Sequence, residues 1–106
     1  MRANGSNREV MMVLSTTPID LKSVKKGDID REIMRIGMIA ELDAVNLYEQ
    51  LAAFTSNKDL RAVLLDVAKE EKTHMGEFET LLLRLDKEQV EELKAGKEEV
   101  RKTTGK

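Results

Sequence analysis

Two long segments without proline, joined by only three residues, restrict this chain to a helical hairpin. The first segment covers residues 28–54 and begins at Gly27-Asp28, a signal for a helix N-cap. The second covers about 58–84 with Gly76 as its only helix breaker. Residues 55–57, Thr-Ser-Asn, have the composition of a loop that ends in a helix N-cap. Because so short a connection reverses the chain, we expect two antiparallel helices and an all-α fold.

The flanking segments have a different composition. Residues 1–27 contain the only proline and carry five basic residues against two acidic ones, which predicts a flexible N-terminal leader. Asp86 with Gln89 three residues later resembles a capping box for a short third helix, which Gly96 would end. The sequence therefore predicts a hairpin with a short third helix over residues 28–96, followed by a frayed, charged tail over 97–106.

Three polar residues, Glu41, Glu71 and His74, interrupt the apolar stripes of the two long helices. Both stripes alternate steps of three and four residues, the rhythm of a bundle seam. The first comprises Met34, Gly37, Glu41, Ala44, Tyr48 and Leu51, and the second Leu60, Leu64, Val67, Glu71, His74, Phe78, Leu81 and Leu85. An ionised carboxylate on a dry face is costly unless a partner compensates it, and no Lys or Arg occurs in either stripe.

A shared metal ion would compensate these carboxylates. Glu71 and His74 form a Glu-x-x-His motif, in which residues three apart share one face of a helix and converge on one ion. Di-iron carboxylate bundles use two such motifs and two further Glu, so this chain carries half of a di-metal site. A two-fold dimer would complete it with four Glu and two His. These ligands suit iron or manganese, and zinc, cobalt or calcium ions could bind in their place.

Other interpretations of the same residues stay open. His74 could be a hydrogen-bonded core histidine, Glu41 and Glu71 could belong to a buried ion-pair network, and Tyr48 could be a core aromatic. Three further acids are either solvated or attract incoming cations: Asp43, Glu70 and Glu77. A second apolar set on the first helix also needs a covering partner: Ile33, Ile36, Ala40, Leu47 and Phe54.

Composition excludes several functions. The chain has no cysteine, which excludes a disulfide framework, thiolate metal sites and a cysteine nucleophile. A formal net charge of −2 argues against nucleic acid as a partner. No apolar stretch approaches the roughly 18 residues of a membrane span. We therefore expect a protein of the reducing cytoplasm, without a membrane or nucleic acid partner.

Residues 40–51 and 64–78 resemble the encapsulated ferritins, the ferritin-like cargo of encapsulin nanocompartments. The resemblance rests on the 30-residue spacing from Glu41 to Glu71 and on Tyr48, seven residues after the first Glu. It implies a two-helix protomer that dimerises into a ferritin-like four-helix bundle, and rings that are commonly decamers. It also implies Glu41, Glu71 and His74 as iron ligands beside Tyr48. An outer iron-uptake site of some members corresponds here to Ala40, Asp43 and Leu47.

The function we predict is that of a ferroxidase. Two Fe(II) ions bind between protomers, O₂ or peroxide oxidises them, and Fe(III) passes to storage in an encapsulin shell. One alternative is a rubrerythrin-like peroxide reductase, although the lack of cysteine removes its electron-feeding module. Another is a metal-free helical assembly module whose polar residues fix the register. We further expect the natural product to continue beyond Lys106 into a targeting peptide or the shell protein.

Overall fold

The computed structural model describes residues 20–106, and helices account for most of them. The elements are two 3₁₀ turns, Leu21–Ser23 and Lys26–Asp28, followed by α1 (Ile29–Phe54), α2 (Lys58–Leu85) and α3 (Lys87–Thr104). Within the described range no strand is present, which confirms the predicted all-α class. Most of the predicted leader, residues 1–19, lies outside the described part, so its flexibility stays a prediction.

The α1–α2 hairpin is the only extensive packing among the described residues. Its buried apolar residues are Val45 and Ala52 of α1 and Ala68 and Leu82 of α2. Ala68 and Leu82 each follow a residue of the predicted α2 stripe by one position, a rotation of about 100° around the helix. The most buried positions of α2 therefore lie beside the predicted stripe, although members of the stripe also contact α1.

A single protomer leaves much of its apolar surface uncovered. Phe54 is 91% exposed, and Ile33, Leu51 and Leu60 are exposed as well. No large side chain of residues 20–106 is completely buried. Two helices can bury only the strip along which they touch, so the remaining apolar faces require another surface to cover them.

The hairpin turn follows the sequence prediction closely. Asn57 caps α2, because its side-chain oxygen accepts a hydrogen bond from the Leu60 N–H at 2.9 Å. The Arg61 guanidinium donates to the carbonyls of Ala52, in the last turn of α1, and of Thr55, which follows α1. These bonds satisfy backbone groups that a helix end leaves without partners.

The predicted start of α1 needs a correction. Gly27-Asp28 was expected to supply a side-chain cap, but the Asp28 carboxylate caps no N–H group of α1. It pairs instead with the guanidinium of Arg31, one turn further along the helix. An ion pair with a nearby cation competes here with the weaker bond to the backbone.

The prediction that the third helix ends at Gly96, with a frayed tail over 97–106, is wrong. Helix α3 continues through Gly96 to Thr104, and Gly105 closes it with a left-handed φ of 82°. A mid-helix glycine costs only about 1 kcal/mol relative to alanine. The surrounding Lys, Glu and Leu residues favour helix, and pairs such as Glu98 with Arg101 add support.

None of the helices in the described range is long and apolar enough to cross a membrane.

Candidate metal centre

Two neighbouring helices bring Glu41, Glu71 and His74 together. Glu41 projects from α1, and Glu71 and His74 project from successive turns of α2. One ligand atom from each lies within 4.8 Å of the other two. His74 Nδ1 is 2.9 Å from Glu41 Oε2 and 3.2 Å from Glu71 Oε1. The structure thus assembles the three residues that the sequence singled out, and their role as metal ligands stays a prediction.

The cluster opens onto the protomer surface. The side chains of Glu41 and Glu71 are 18% and 17% exposed, whereas the imidazole of His74 is 47% exposed. The carboxylates therefore lie between the helices and the imidazole lies at the edge. The cluster is thus covered by protein on one side and open on the other, as expected for half of a shared site.

The charges of the cluster do not cancel. Among residues 20–106 no Lys or Arg forms an ion pair with Glu41 or Glu71, and Lys72 pairs with Glu49 instead, at 3.2 Å. Partial desolvation lowers the pKa of His74, but the charges of the two carboxylates, the short contact with Glu41 and the charge of Glu77 together raise it above its ordinary value. Even a protonated His74 leaves two carboxylates facing one positive charge.

One oxygen of the cluster lacks a hydrogen-bond donor. Glu41 Oε2 is buried and, although Nδ1 of His74 is close, it accepts no hydrogen bond of adequate geometry within the described residues. A buried acceptor without a donor costs about 1–3 kcal/mol. A cation would satisfy this oxygen and balance the excess negative charge. Two carboxylates and one imidazole are also the donor set that iron and manganese favour, so the residues fit such an ion.

The three other candidate acids are not part of this cluster, and Tyr48 lies further along α1. Tyr48 is half-buried on α1, seven residues beyond Glu41, which is about 10 Å along the helix axis. Glu70 and Glu77 are exposed. Asp43 differs from expectation, because it is half-buried and its Oδ2 has no hydrogen-bond partner in the described range. Whether these acids take up iron stays a prediction.

Sequence reasoning missed one contact beside the cluster. Gly37 of α1 lies directly against the ring of Phe78 of α2. Gly37 precedes Glu41 by one turn, and Phe78 follows His74 by one turn. The available signal was a glycine in the apolar stripe of an otherwise strong helix, which often marks a close approach between elements.

Known proteins of one kind are similar to this chain in sequence and structure. The sequence family described as EncFtn-like matches residues 17–96. A ferritin-like–encapsulin shell fusion protein of Pyrococcus furiosus is 61% identical over 74 residues, which is 70% of this chain. The encapsulin nanocompartment cargo protein EncC of Myxococcus xanthus is 41% identical over 71 residues, which is 67% of this chain.

A solved structure shares the fold. The crystal structure of the encapsulated ferritin domain from Pyrococcus furiosus superimposes with a TM-score of 0.75 at 52% sequence identity, over 88% of this chain and 97% of that domain. The helical fold is therefore ferritin-like. The aligned region spans only 21% of the Pyrococcus fusion protein and 55% of the Myxococcus cargo protein. The similarity thus concerns one domain of longer proteins.

Proposed function

This chain belongs to the EncFtn-like family, and from that premise we propose that it is a ferroxidase that oxidises Fe(II) at a site formed by Glu41, Glu71 and His74. The buried Glu41 oxygen without a donor, in a cluster that no Lys or Arg neutralises, is the observation that carries the proposal. Such a cluster is unfavourable without a cation and favourable with one.

The complete site needs a second copy of the chain. One protomer supplies two carboxylates and one imidazole, and the half-exposed His74 leaves the cluster open on one side. A two-fold axis beside this opening would bring together four Glu and two His, enough for two Fe(II) ions. The same dimer would cover part of the exposed apolar surface of α1 and α2.

The proposed ligands explain why the oxidised product, Fe(III), would be favoured. Carboxylate oxygens are hard, anionic donors, so they stabilise Fe(III) more than Fe(II). The cluster therefore helps two Fe(II) ions to give up one electron each to O₂ or peroxide. His74 supplies the only nitrogen donor per chain, and as a metal ligand its imidazole must be neutral, so binding releases any proton it holds.

Anaerobic titration with Fe(II), followed by exposure to O₂, tests this function. We expect saturable binding of two ions per dimer and then rapid oxidation. Turnover with peroxide but not with O₂ would favour the rubrerythrin-like alternative. Absence of stoichiometric binding would contradict the proposal and favour the metal-free assembly module.

Native mass spectrometry tests the shared site. We expect dimers or larger rings such as decamers, with assembly promoted by Fe(II) or Ca(II), because a protomer leaves both its ligand set and its apolar faces incomplete. A monomeric, fully helical protein at micromolar concentration would contradict a shared site.

The relatives support a proposal for where this chain works. One is a fusion with an encapsulin shell and the other is an encapsulin cargo protein. We therefore propose that the chain works with an encapsulin shell protein, inside a cytoplasmic nanocompartment that holds the oxidised iron. Loading the isolated 106-residue chain aerobically with a large excess of Fe(II) should give rapid oxidation followed by precipitation. A soluble mineral core held by the chain alone would contradict the proposal that the chain oxidises iron and the shell stores it.

A further inference from the structure

A close contact between α1 and α2 lies one turn from the candidate metal centre. A Cβ atom placed on Gly37 would be 2.9 Å from Cδ2 and Cγ of Phe78 and 3.0 Å from Cδ1. The backbone of α1 thus rests on the face of the Phe78 ring. Gly37 and Glu41 are four residues apart on α1, and Phe78 and His74 are four residues apart on α2, so each pair shares one face of its helix.

A side chain at position 37 could not be accommodated without movement. Carbon atoms in contact normally lie about 3.5–4.0 Å apart. A methyl group on residue 37 would therefore displace the Phe78 ring or the helix by roughly 0.5–1 Å. The near atoms of the ring include Cγ, which is close to the α2 backbone and cannot swing away as the tip of a flexible side chain can.

We infer that the Gly37–Phe78 contact is the positioning element of the metal centre, which sets the separation of α1 and α2 at which Glu41 meets Glu71 and His74. This inference rests on the proposed metal-binding function. Gly37 and Phe78 touch no metal; they act through the ligands on the adjacent turns. Glu41 reaches the other two ligands from the opposite helix, so its distance to them depends directly on the helix separation.

Metal sites are sensitive to displacements of this size. Ligands must be held within about 0.5 Å of the productive geometry by the residues that support them. Loss of such a support costs roughly 10-fold to 100-fold in metal affinity. The required precision is thus of the same order as the displacement that a methyl group at position 37 would cause.

The test compares two alanine substitutions on the full 106-residue chain. Gly37→Ala adds a methyl group at the contact, whereas Gly76→Ala adds the same group on α2 where nothing lies within 4 Å. Anaerobic titration with Co(II), followed by its visible absorption bands, gives both the affinity and the coordination geometry. We expect Gly37→Ala to bind Co(II) roughly 10-fold to 100-fold more weakly with altered bands, and Gly76→Ala to match the wild type.

A double-mutant cycle isolates the contact itself. Phe78→Ala removes the ring, so adding Gly37→Ala to it should weaken Co(II) binding no further, although Gly37→Ala alone has a large effect. If Gly37→Ala alone does not fold, the double variant should fold because the clash is gone. The Co(II) affinity of Phe78→Ala then decides, and we expect it to fall while the helical circular dichroism of the metal-free chain is retained.

The outcomes separate this inference from the proposed function. If Gly37→Ala binds Co(II) with the affinity and bands of Gly76→Ala, the positioning role is overturned. The metal centre itself stands in that case, provided that the wild type binds Co(II) and Glu41→Ala does not. If the wild type binds no Co(II), or Glu41→Ala binds it equally well, the proposed site fails and the positioning role fails with it.

Discussion

Two carboxylates of this chain lie in contrasting surroundings. Asp86, at the junction of α2 and α3, is buried, but both of its oxygens are satisfied. Oδ1 accepts from the Gln89 N–H and Oδ2 accepts from the Arg35 guanidinium, each at 2.9 Å. Glu41, in the hairpin, has a buried oxygen without a donor and faces a second carboxylate, Glu71.

The difference separates a structural acid from a ligand. The protein supplies every partner that Asp86 needs, so this residue stabilises the junction without any external species. Glu41 and Glu71 share only the imidazole of His74, and their local charge stays negative. Asp86 is the more buried residue, yet the number of hydrogen-bond donors and the local charge, not burial, distinguish the structural acid from the ligands.

The largest expected effect is the loss of Fe(II) oxidation when a ligand in the hairpin is removed. Glu41→Ala, Glu71→Ala and His74→Ala should each reduce Fe(II) oxidation to the rate of the buffer alone, because each change removes two ligands from a symmetric dimer site. Asp86→Ala serves as the matched control, since it removes a carboxylate that no metal requires. Stopped-flow absorbance after mixing with O₂ measures the oxidation rate of the ligand variants and of the control. Wild-type rates in all three ligand variants would refute the site.

The second effect should have opposite signs in the two regions. Without metal, Glu41→Ala should melt at a temperature at least as high as the wild type, since the substitution relieves repulsion between carboxylates and removes an unsatisfied buried oxygen. Asp86→Ala should melt at a lower temperature, because α3 loses its cap and the junction loses its ion pair with Arg35. Calorimetry in the presence of a chelator decides, and a lower melting temperature for Glu41→Ala would contradict the contrast.

The third effect concerns pH at the junction. The Gln89 N–H lowers the pKa of Asp86 from its ordinary value of 3.8, desolvation acts in the opposite direction, and the charge of Arg35 lowers it further. Because this pKa is lower in the folded than in the unfolded state, the ionised carboxylate stabilises the fold above about pH 3.8. That contribution is lost as the pH falls below this value and through the folded pKa.

Asp86→Asn tests the pH dependence with little change in shape. The free energy of unfolding of the metal-free wild type should exceed that of the variant at neutral pH, and the difference should shrink in the acid range. Denaturant titrations at several pH values measure it. A difference that stays constant across the acid range would show that charge plays no part at Asp86.

The regular parts of the fold could be predicted from the sequence, because they depend on local signals. Asn57 and Asp86 cap helices as expected, and the three-residue loop enforces the hairpin. The end of α3 could not be predicted, because a glycine such as Gly96 can either end a helix or be tolerated within it. The decisive αL residue was Gly105, which ends α3 nine residues later.

The candidate site was predictable for a different reason. Glu41, Glu71 and His74 contradict the apolar pattern around them, and such conflicts often mark function. The most buried positions of the hairpin were not predictable, because periodicity locates a stripe but not the partner that covers it. Burial at Ala68 and Leu82, beside the predicted stripe, depends on how closely small residues let α1 approach α2.

The smallest expected effect is that of substituting Tyr48, which tests how far the site extends along α1. Tyr48 lies two turns beyond Glu41, about 10 Å along the helix axis, and its hydroxyl is not one of the three proposed ligands. Tyr48→Phe should therefore leave Co(II) affinity unchanged and alter the rate of Fe(II) oxidation less than about tenfold, a barrier change under about 1.4 kcal/mol. The exposed neighbour Glu49, which pairs with Lys72, provides the control Glu49→Gln, for which we expect no change. Loss of metal binding in Tyr48→Phe would move the boundary of the site two turns along α1 and make the hydroxyl part of it.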